Sequence, residues 1–328
     1  MRAVVFSGKG GPEVAEVREV PDPVPQRGEV LVRVRAAALN RADLLQRRGL
    51  YPPPPGYRED VPGLEFAGEV ARLGEGVRGL QPGDRVMAIA AGEAQAELVL
   101  ADPFLLLPIP EGLGYAEAAT LPEAGITAHD ALVTQGGMRP GWTVLVHAVG
   151  SGVSTAALQI AKAMGGTVVG TSRTAPKLER ARELGLDHGI LLGKEDPKFA
   201  QEVRRLTAGK GVPVVLDFVG APYAAENVLA LAPQGRIVVI GTMGGPKAAV
   251  DLGALMRARG QILGTVLRPR PLYEKVAATQ AFAKDVLPLV AAGKVKPVLD
   301  RALPASQVRE AHEQMERNES FGKIVLEF

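Results

Sequence analysis

The pattern of apolar and polar positions divides the 328-residue chain into two regions with different rhythms. Up to about residue 115, short apolar or alternating runs are separated by Gly and Pro, as in the Gln-Pro-Gly-Asp stretch at 81–84. Such runs are typical of β-strands joined by tight turns, because Pro presets φ and Gly takes positive φ. The first region therefore predicts a small β-rich, barrel-like domain, with strands at 3–6, 29–36, 66–73, 85–89 and 96–100.

Beyond residue 115, apolar runs alternate with helical patterns. This rhythm predicts an α/β fold with a doubly wound, six-stranded parallel sheet. We assign 1–115 to the β-rich domain, 116–267 to a nucleotide-binding domain and 268–328 to a C-terminal return to the first domain. The last region is predicted to hold one long helix over 273–292, a linker ending in Pro304, a short helix over 306–317 and a terminal strand over 323–328. The six sheet strands are predicted at 143–147, 167–170, 189–192, 212–218, 236–240 and 261–266.

The segment 144–159 predicts a buried strand, a tight Gly/Ser turn and the start of a helix. Small residues let the backbone approach a pyrophosphate, and the helix N-terminus supplies free N–H groups. Gly150 and Gly152 have the G-x-G spacing, but Thr155 stands where a third glycine is expected. The alternative is an ordinary helix start with Ser151 as N-cap. The strand before the turn and the helix after it favour a dinucleotide site.

The next predicted strand ends in Thr-Ser-Arg at 171–173, and Lys177 follows one turn later. An NAD-selective fold usually places Asp or Glu here, roughly 20 residues after the glycine turn, to bind the ribose 2′-hydroxyl. Hydroxyl and cationic groups suit a 2′-phosphate instead, since guanidinium binds it bidentately and ammonium acts as a point charge. The sequence therefore predicts NADPH, held by Ser172, Arg173 and Lys177. A solvated surface pair of cations is the alternative.

The amino-acid composition of the chain argues against several classes of function. The formal net charge of +2 argues against a nucleic-acid partner. The chain has no cysteine, which excludes disulfides, thiolate zinc sites and a cysteine nucleophile. No apolar run reaches the length of a membrane span and no signal peptide is found, so we expect a cytoplasmic protein without membrane insertion.

The four histidines do not pair at metal-ligand spacing, and we expect no metal site. His147 ends an apolar strand and is expected to be a structural residue with its hydrogen bonds satisfied. His188 and His312 are expected at exposed edges.

A set of short motifs then occurs in one order along the whole chain: ALNRAD at 38–43, PGLEFAGE at 62–69, LQPGDRV at 80–86, GITA at 125–128, VHA at 146–148, LQIAK at 158–162, DFVG at 217–220 and GKIV at 322–325. In order and spacing they resemble the medium-chain dehydrogenase/reductase superfamily, and within it the zinc-free, zeta-crystallin-like NADPH quinone oxidoreductases. The resemblance implies a GroES-like fold for the first domain and a Rossmann fold for the second. It also implies metal-free hydride transfer from NADPH to a quinone or similar electron-poor acceptor, and a homodimer.

Two departures qualify the resemblance. In the zinc alcohol dehydrogenases of this superfamily a Cys stands at the position of Asn40 and a His at that of Leu64, so a metal mechanism is unsupported. The pyrophosphate turn of the family, Ala-x-x-Gly-x-x-Gly, begins here at Ala148 and has Ser151 and Ser154 at the two glycine positions. Serine is small enough to fit and can donate to phosphate.

The resemblance implies catalytic roles for Asn40, Asp43 and Tyr51. Asn40 is expected to bond a substrate carbonyl or the nicotinamide ribose, with a helix cap as the alternative. For Asp43 the alternatives are capping or pairing with an arginine. Tyr51, beside four prolines, is expected to stack on a flat acceptor or donate its hydroxyl, with packing against the prolines as the alternative. Thr127 is implied to lie near the nicotinamide, with a bond to its own helix as the alternative.

The other cofactor contacts are expected at the carboxyl ends of the sheet strands, where open α/β sheets bind ligands. The loop at 241–245 is expected to present backbone groups to the nicotinamide. The segment 264–268 is expected to line the nicotinamide pocket and to join an edge-to-edge dimer. The full set of predicted cofactor-binding residues is Asn40, Thr127, Gly150, Ser151, Gly152, Val153, Ser172, Arg173, Lys177, Val219, Gly241, Thr242, Met243, Leu267 and Arg268.

Three functions remain open from the sequence. The leading one is NADPH-dependent quinone reduction, for which the site need not contain a tuned acid and base, because water can protonate the product. The second is reduction of an activated C=C bond in an enone or enoyl thioester, although no basic cluster for a CoA phosphate lies near Tyr51. The third is a non-catalytic NADPH-binding protein, for which the near-neutral charge argues against RNA as partner.

Overall fold

The computed structural model describes residues 1–193 and 197–328 and divides the chain into two compact units. The N-terminal unit comprises Met1–Ile126, Leu267–Ala291 and Pro297–Phe328. The second unit comprises Thr127–Val266 and Ala292–Lys296. The N-terminal unit thus includes residues 116–126, which the sequence pattern groups with the nucleotide-binding domain.

Strands and helices are numbered here along the chain. The strands are β1 (Arg2–Phe6), β2 (Ala15–Glu19), β3 (Val30–Ala38), β4 (Glu65–Leu73), β5 (Arg85–Ile89), β6 (Leu98–Ala101), β7 (Leu107–Pro108), β8 (Thr143–Val146), β9 (Thr167–Ser172), β10 (His188–Leu191), β11 (Val212–Asp217), β12 (Leu231–Val239), β13 (Gln261–Gly264), β14 (Leu299–Pro304) and β15 (Lys323–Glu327). The helices are α1 (Arg41–Arg47), α2 (Tyr115–Ala118), α3 (Pro122–His129), α4 (Gly152–Ala163), α5 (Ala175–Glu183), α6 (Ala200–Leu206), α7 (Ala224–Ala230), α8 (Leu252–Ala258), α9 (Leu272–Asp285), α10 (Leu287–Ala291) and α11 (Val308–Arg317). A π-helical segment, Asp130–Gln135, continues α3.

The N-terminal unit is built on a seven-stranded sheet in the order β14-β15-β3-β4-β5-β7, with β6 also pairing to β3. Strand β3 is long and rich in β-branched and small residues, which suits a strand buried on both faces. Val32, Val34, Phe66 and Val86 pack in its core. The C-terminal strand β15 pairs antiparallel with β3, bringing Val325 opposite Ala38. Residues from the two ends of the chain therefore meet at the end of β3.

The second unit holds a six-stranded parallel sheet in the order β10-β9-β8-β11-β12-β13, which confirms the predicted doubly wound α/β fold. The order along the chain reverses between β8 and β11, so the carboxyl ends of these two strands flank a topological switch point. Ligands of open α/β sheets bind at such a point. Strands β8, β9 and β11 in the middle of the sheet are largely buried, because helices cover both faces of a parallel sheet.

Two predictions for the C-terminal region were wrong. The predicted helix over 273–292 is two helices, α9 and α10, separated at Val286. Pro288 explains the break, because it has no N–H with which to continue the helical hydrogen bonds. The predicted linker before Pro304 is strand β14, parallel to β15. Its mixed polar composition hid it, as is common for a strand at a sheet edge.

His312 was predicted to be exposed and is fully buried. Its Nδ1 lies 2.9 Å from the Arg47 Nη1, and Arg47 is itself fully buried and paired with Glu316. Burial lowers the pKa of His312 to about 3, and the Arg47 charge acts in the same direction. The neutral imidazole therefore accepts from the guanidinium and joins α1 to α11. The helical period of α11 places His312 on its inner face, which the sequence analysis overlooked.

Candidate functional site

The helix cap at the start of α1 supplies the first part of the site. The Asn40 backbone N–H donates to Asp43 Oδ2 over 2.7 Å, and the Asp43 N–H donates back to Asn40 O over 2.9 Å. Gln95 Nε2 donates to the same Asp43 oxygen over 3.1 Å. Asp43 is fully buried, so its carboxylate caps the helix from within the unit. This geometry supports the capping alternative for Asp43 over direct contact with a substrate.

The Asn40 side chain connects three elements. Lys323 Nζ on β15 donates to Asn40 Oδ1 over 2.6 Å, and Asn40 Nδ2 donates to Glu65 Oε1 on β4 over 3.0 Å. Lys323 and Glu65 form an ion pair of 2.6 Å in which Glu65 is fully buried and Lys323 nearly so. A charge held in a protein interior needs such a partner and further hydrogen bonds. The amide of Asn40 supplies those bonds to both charges.

Glu123 completes a carboxyl cluster, by which we mean Asp43, Glu65 and Glu123. It lies in the first turn of α3, and its backbone N–H donates to Glu65 Oε2 over 2.8 Å. Burial and then the Glu65 charge raise the pKa of Glu123 to about 8, against the opposing effect of Lys323. Burial also raises the pKa of Asp43 to about 6. Perturbed carboxyls of this kind mark candidate functional sites.

Tyr51 is held at the same cluster by Arg268. The buried Arg268 donates to Tyr51 O over 3.2 Å, to Ala91 O over 2.7 Å and to Gln46 Oε1 over 2.7 Å. Its guanidinium carbon lies 5.3 Å from the centre of the Tyr51 ring, within cation–π range. Burial, and then the Glu123 charge, raise the pKa of the Tyr51 phenol, which therefore keeps its proton at neutral pH.

The structure thus brings Asn40, Asp43, Tyr51 and Arg268 together in the N-terminal unit. Arg268 and Leu267 were predicted to bind the cofactor. Both are buried in the N-terminal unit, and the three guanidinium nitrogens of Arg268 already donate to groups of that unit. The geometry gives Arg268 the role of holding the Tyr51 segment.

The glycine turn of the second unit lies between β8 and α4. Ser151 is the N-cap, and its Oγ accepts from the Ser154 N–H over 3.2 Å. Ser154 Oγ donates to His147 O over 2.8 Å, so this hydroxyl bonds within the turn and does not point to a ligand. The N–H groups of Gly152 and Val153, in the first turn of α4, have no acceptor within the helix. They fit the pyrophosphate contact that the sequence predicts.

Lys177 lies against this turn. A Cβ added at Gly150 would be 2.6 Å from Lys177 Cδ, so the absence of a side chain at Gly150 makes room for the lysine stem. Arg173 is exposed directly after β9, and Ser172 Oγ accepts from the Thr174 N–H over 3.1 Å. The glycine turn and these two cations therefore lie at the carboxyl ends of the adjacent strands β8 and β9.

The loops after β11 and β12 meet at the same edge. The Val219 and Gly220 N–H groups donate to Asp217 Oδ1 over 2.7 and 2.9 Å. The Gly244 N–H donates to Val219 O over 2.8 Å, which joins the loop that contains Gly241, Thr242 and Met243 to the end of β11. Thr127 begins the second unit within α3.

A buried network behind this edge involves His147. Its Nδ1 lies 2.9 Å from Thr171 Oγ1 and its Nε2 lies 2.7 Å from Asn227 Oδ1, while Asn227 Nδ2 donates to Asp217 Oδ2 over 2.9 Å. Burial lowers the pKa of His147, so the ring is neutral. We assign the proton to Nε2, because Asn227 Oδ1 can only accept. His147 is a structural residue, as the sequence analysis expected.

Sequence reasoning missed Glu65, Glu123 and Lys323 as site residues. Glu65 and Lys323 stand in two of the quoted motifs, but nothing local shows that β4 and β15 bring them together. A glutamate within the apolar run at 64–68 was the available signal, since an unpaired charge is rarely buried.

Among the described residues, no group of three or more His, Asp or Glu side chains is placed to hold a metal ion. A search of the described helices for one that is long and apolar enough to cross a membrane finds none.

Comparison with known proteins gives two family matches. The alcohol dehydrogenase GroES-like domain matches residues 26–133, and the zinc-binding dehydrogenase family matches residues 152–283. A quinone oxidoreductase of Pseudomonas aeruginosa is 34% identical over 99% of both chains. A crystal structure described as an NAD-dependent alcohol dehydrogenase is 36% identical, with a TM-score of 0.88 and full coverage of both chains. A mycobacterial structure complexed with NADPH is 29% identical, with a TM-score of 0.88 and full coverage of both chains.

Proposed function

The chain belongs to the medium-chain dehydrogenase/reductase superfamily, in the branch that contains quinone oxidoreductases and the synaptic vesicle membrane protein VAT-1 homologues, and from this we propose that it reduces quinones, or similar electron-poor carbonyl compounds, with NADPH. The family accounts for NAD(P)-dependent oxidoreductase activity in general. We propose NADPH as the cofactor and a quinone as the acceptor. The relatives alone do not select the cofactor, because they include both an NAD-dependent enzyme and a protein crystallised with NADPH.

The observation that carries the choice of NADPH is the pair of cations beside the glycine turn. Arg173 is exposed at the end of β9, and Lys177 lies against Gly150. An NAD-selective site usually has a carboxylate at the end of this strand, which would repel a 2′-phosphate. Arg173 would bind the 2′-phosphate bidentately, and the ammonium of Lys177 would add a point charge at the phosphates.

NADPH, when bound, supplies a hydride to the acceptor. Binding and orientation come from residues of the chain. Gly152 and Val153 bind the pyrophosphate through their N–H groups. The loop at 241–245, with Thr127 and Val219, orients the nicotinamide. The phenol of Tyr51 donates to, or stacks on, the flat acceptor. Asn40 positions Lys323 and Glu65 through its amide. Holding both reactants in place provides much of the rate gain.

The test is oxidation of NADPH and NADH against a panel of quinones and enones, with Arg173→Ala and the matched control Arg182→Ala, an exposed arginine on α5. Loss of one charge-assisted contact of about 1.5–3 kcal/mol raises the KM for NADPH by roughly 10–150-fold and leaves that for NADH unchanged. The control should match the wild type. Preference for NADH would refute the assignment of the cofactor, and turnover of enones alone would favour C=C reduction.

We also propose a homodimer through the edge of the parallel sheet. Strand β13 ends the sheet, and its Ile262 is 43% exposed. Leu252 and Met256 on the neighbouring α8 are 65% and 76% exposed. An unpaired strand edge beside exposed apolar side chains suits pairing with a second copy.

A further inference from the structure

The carboxyl cluster of the N-terminal unit contains one group suited to donate a proton. Glu65 is fully buried and ion-paired with Lys323, and Asp43 is fully buried in the cap of α1. Glu123 is the member of the cluster that is not fully buried. Hydrogen bonds connect its surroundings to Tyr51: the Ala90 N–H donates to Leu64 O, next to Glu65, and Arg268 donates to both Ala91 O and Tyr51 O.

From this placement we propose that Glu123 is the catalytic acid that protonates the reduced acceptor, with Glu65 and Lys323 as positioning residues that hold Glu123 through its backbone N–H. The inference rests on the proposed function, because it names a residue of the same reaction. It differs from the sequence-based view that water alone provides the proton.

A hydride from the reduced nicotinamide adds to the quinone and gives a hydroquinone monoanion. The Glu123 O–H bond then breaks, its proton forms a new O–H bond on the anionic oxygen of the product, and Glu123 becomes a carboxylate. Solvent returns one proton to Glu123, so that quinone, NADPH and one proton give hydroquinone and NADP⁺.

The surrounding charges favour this cycle. Glu65, which is ion-paired with Lys323, accepts the Glu123 N–H at its Oε2, so the carboxylate formed in the step lies near a second carboxyl group. Burial and this like charge keep the pKa of Glu123 near 8, so the acid is mostly protonated at neutral pH and regains its proton readily. The charged and titratable groups that act on it come from six parts of the unit: Asp43 on α1, Tyr51, Glu65 on β4, Arg268, Lys275 on α9 and Lys323 on β15.

The test compares Glu123→Gln with Glu117→Gln, an exposed glutamate on α2 that serves as the matched control. With 2-methyl-1,4-naphthoquinone and NADPH, kcat of the wild type and the control should fall as the pH rises through about 8. Glu123→Gln should lose about 100-fold or more in kcat, with little change in KM, and should lose this alkaline limb together with the solvent deuterium isotope effect.

A second readout does not depend on turnover. Infrared titration of the protein should show the C=O band of a protonated carboxyl that disappears near pH 8. Glu123→Gln should abolish this band and keep the one from Asp43, which titrates near pH 6. Circular dichroism and the thermal transition at pH 7 show whether the variant is folded.

The outcomes separate the two proposals. If the wild type reduces quinones and Glu123→Gln keeps the same kcat and the same alkaline limb, the role of Glu123 is overturned. The proposed quinone reduction is not affected by that result. A wild-type protein in which no carboxyl band titrates near pH 8 also overturns that role. A wild type that oxidises NADPH with none of the quinones overturns the proposed function, and the role of Glu123 with it.

Discussion

Replacement of Lys323 by Met tests the central ion pair of the N-terminal unit. Lys323 is 6% exposed and donates to both Asn40 Oδ1 and Glu65 Oε1 over 2.6 Å. Methionine keeps much of the side-chain volume and removes the charge. The fully buried Glu65 then keeps only hydrogen bonds from Asn40 and from the Glu123 N–H.

The expected loss is large because the remaining charge is uncompensated. Breaking a buried pair from one side costs about 3–5 kcal/mol, whereas replacing both charges can be nearly neutral. Glu65→Gln alone should cost a similar amount, since it leaves the Lys323 ammonium buried. The double variant should recover most of the loss, because a glutamine at 65 can donate to Asn40 and still accept from the Glu123 N–H. We therefore expect a coupling energy of roughly 4 kcal/mol or more, the difference between the summed single losses and the small loss in the double variant.

The assay is a urea and thermal denaturation series at pH 7, followed by far-UV circular dichroism, for the wild type, both single variants and the double variant. In a unit of this size, about 3–5 kcal/mol lowers Tm by roughly 6–20 °C in each single variant. Losses in the double variant that equal the sum of the single losses would refute the reasoning, because Glu65 and Lys323 would then not depend on each other.

Four further variants test other parts of the structure. The folded-state pKa of Asp43, about 6, is above the ordinary 3.8, so the contribution of this carboxyl to the free energy of unfolding is fully present below about pH 3.8 and is lost as the pH rises through 6. The urea midpoint of the wild type should therefore fall over this pH window, and in Asp43→Asn it should depend less on pH. A variant whose midpoint falls as steeply as that of the wild type would contradict the assignment. Ile262→Asp should convert a dimer to a monomer in sedimentation analysis, and wild-type mass would argue against the β13 edge. Gly68→Ala, whose Cβ would lie 2.0 Å from the backbone oxygen of Arg33, should cost about 3 kcal/mol or more in urea denaturation. In Gly150→Ala the added Cβ meets only the flexible Lys177 stem, so the free energy of unfolding should fall by under about 1 kcal/mol, while the KM for NADPH rises. A larger loss of stability in Gly150→Ala than in Gly68→Ala would contradict both contacts.

The sequence predicted the parts of the fold that depend on local periodicity and turn chemistry. The apolar runs of the parallel sheet, the Ser151 cap and the cations after β9 all follow from neighbours in the chain. Where local signals were weak, the prediction failed. Strand β14 has mixed composition, and the break between α9 and α10 depends on Pro288, which the apolar pattern around it concealed.

For the candidate site, the sequence identified Asn40, Asp43 and Tyr51 but could not give their partners. The cap between Asn40 and Asp43 is local and was an open alternative. Arg268 was expected at the cofactor, yet its contacts are with Tyr51, Gln46 and Ala91. The direction of a long side chain depends on the acceptors that folding brings within its reach.

By itself, the sequence determined the α/β class, the glycine turn and the cationic strand end, because each is set by residues within a few positions of one another. Only the tertiary structure decided that Lys323 pairs with Glu65 and that Glu123 lies beside them. Strand β15 must return to β3 before these charges meet. The removal of the Glu123 carboxyl from much of the solvent, and then the nearby charge of Glu65, raise the pKa of Glu123, because a carboxyl ionises less readily when it loses water and lies near another carboxylate.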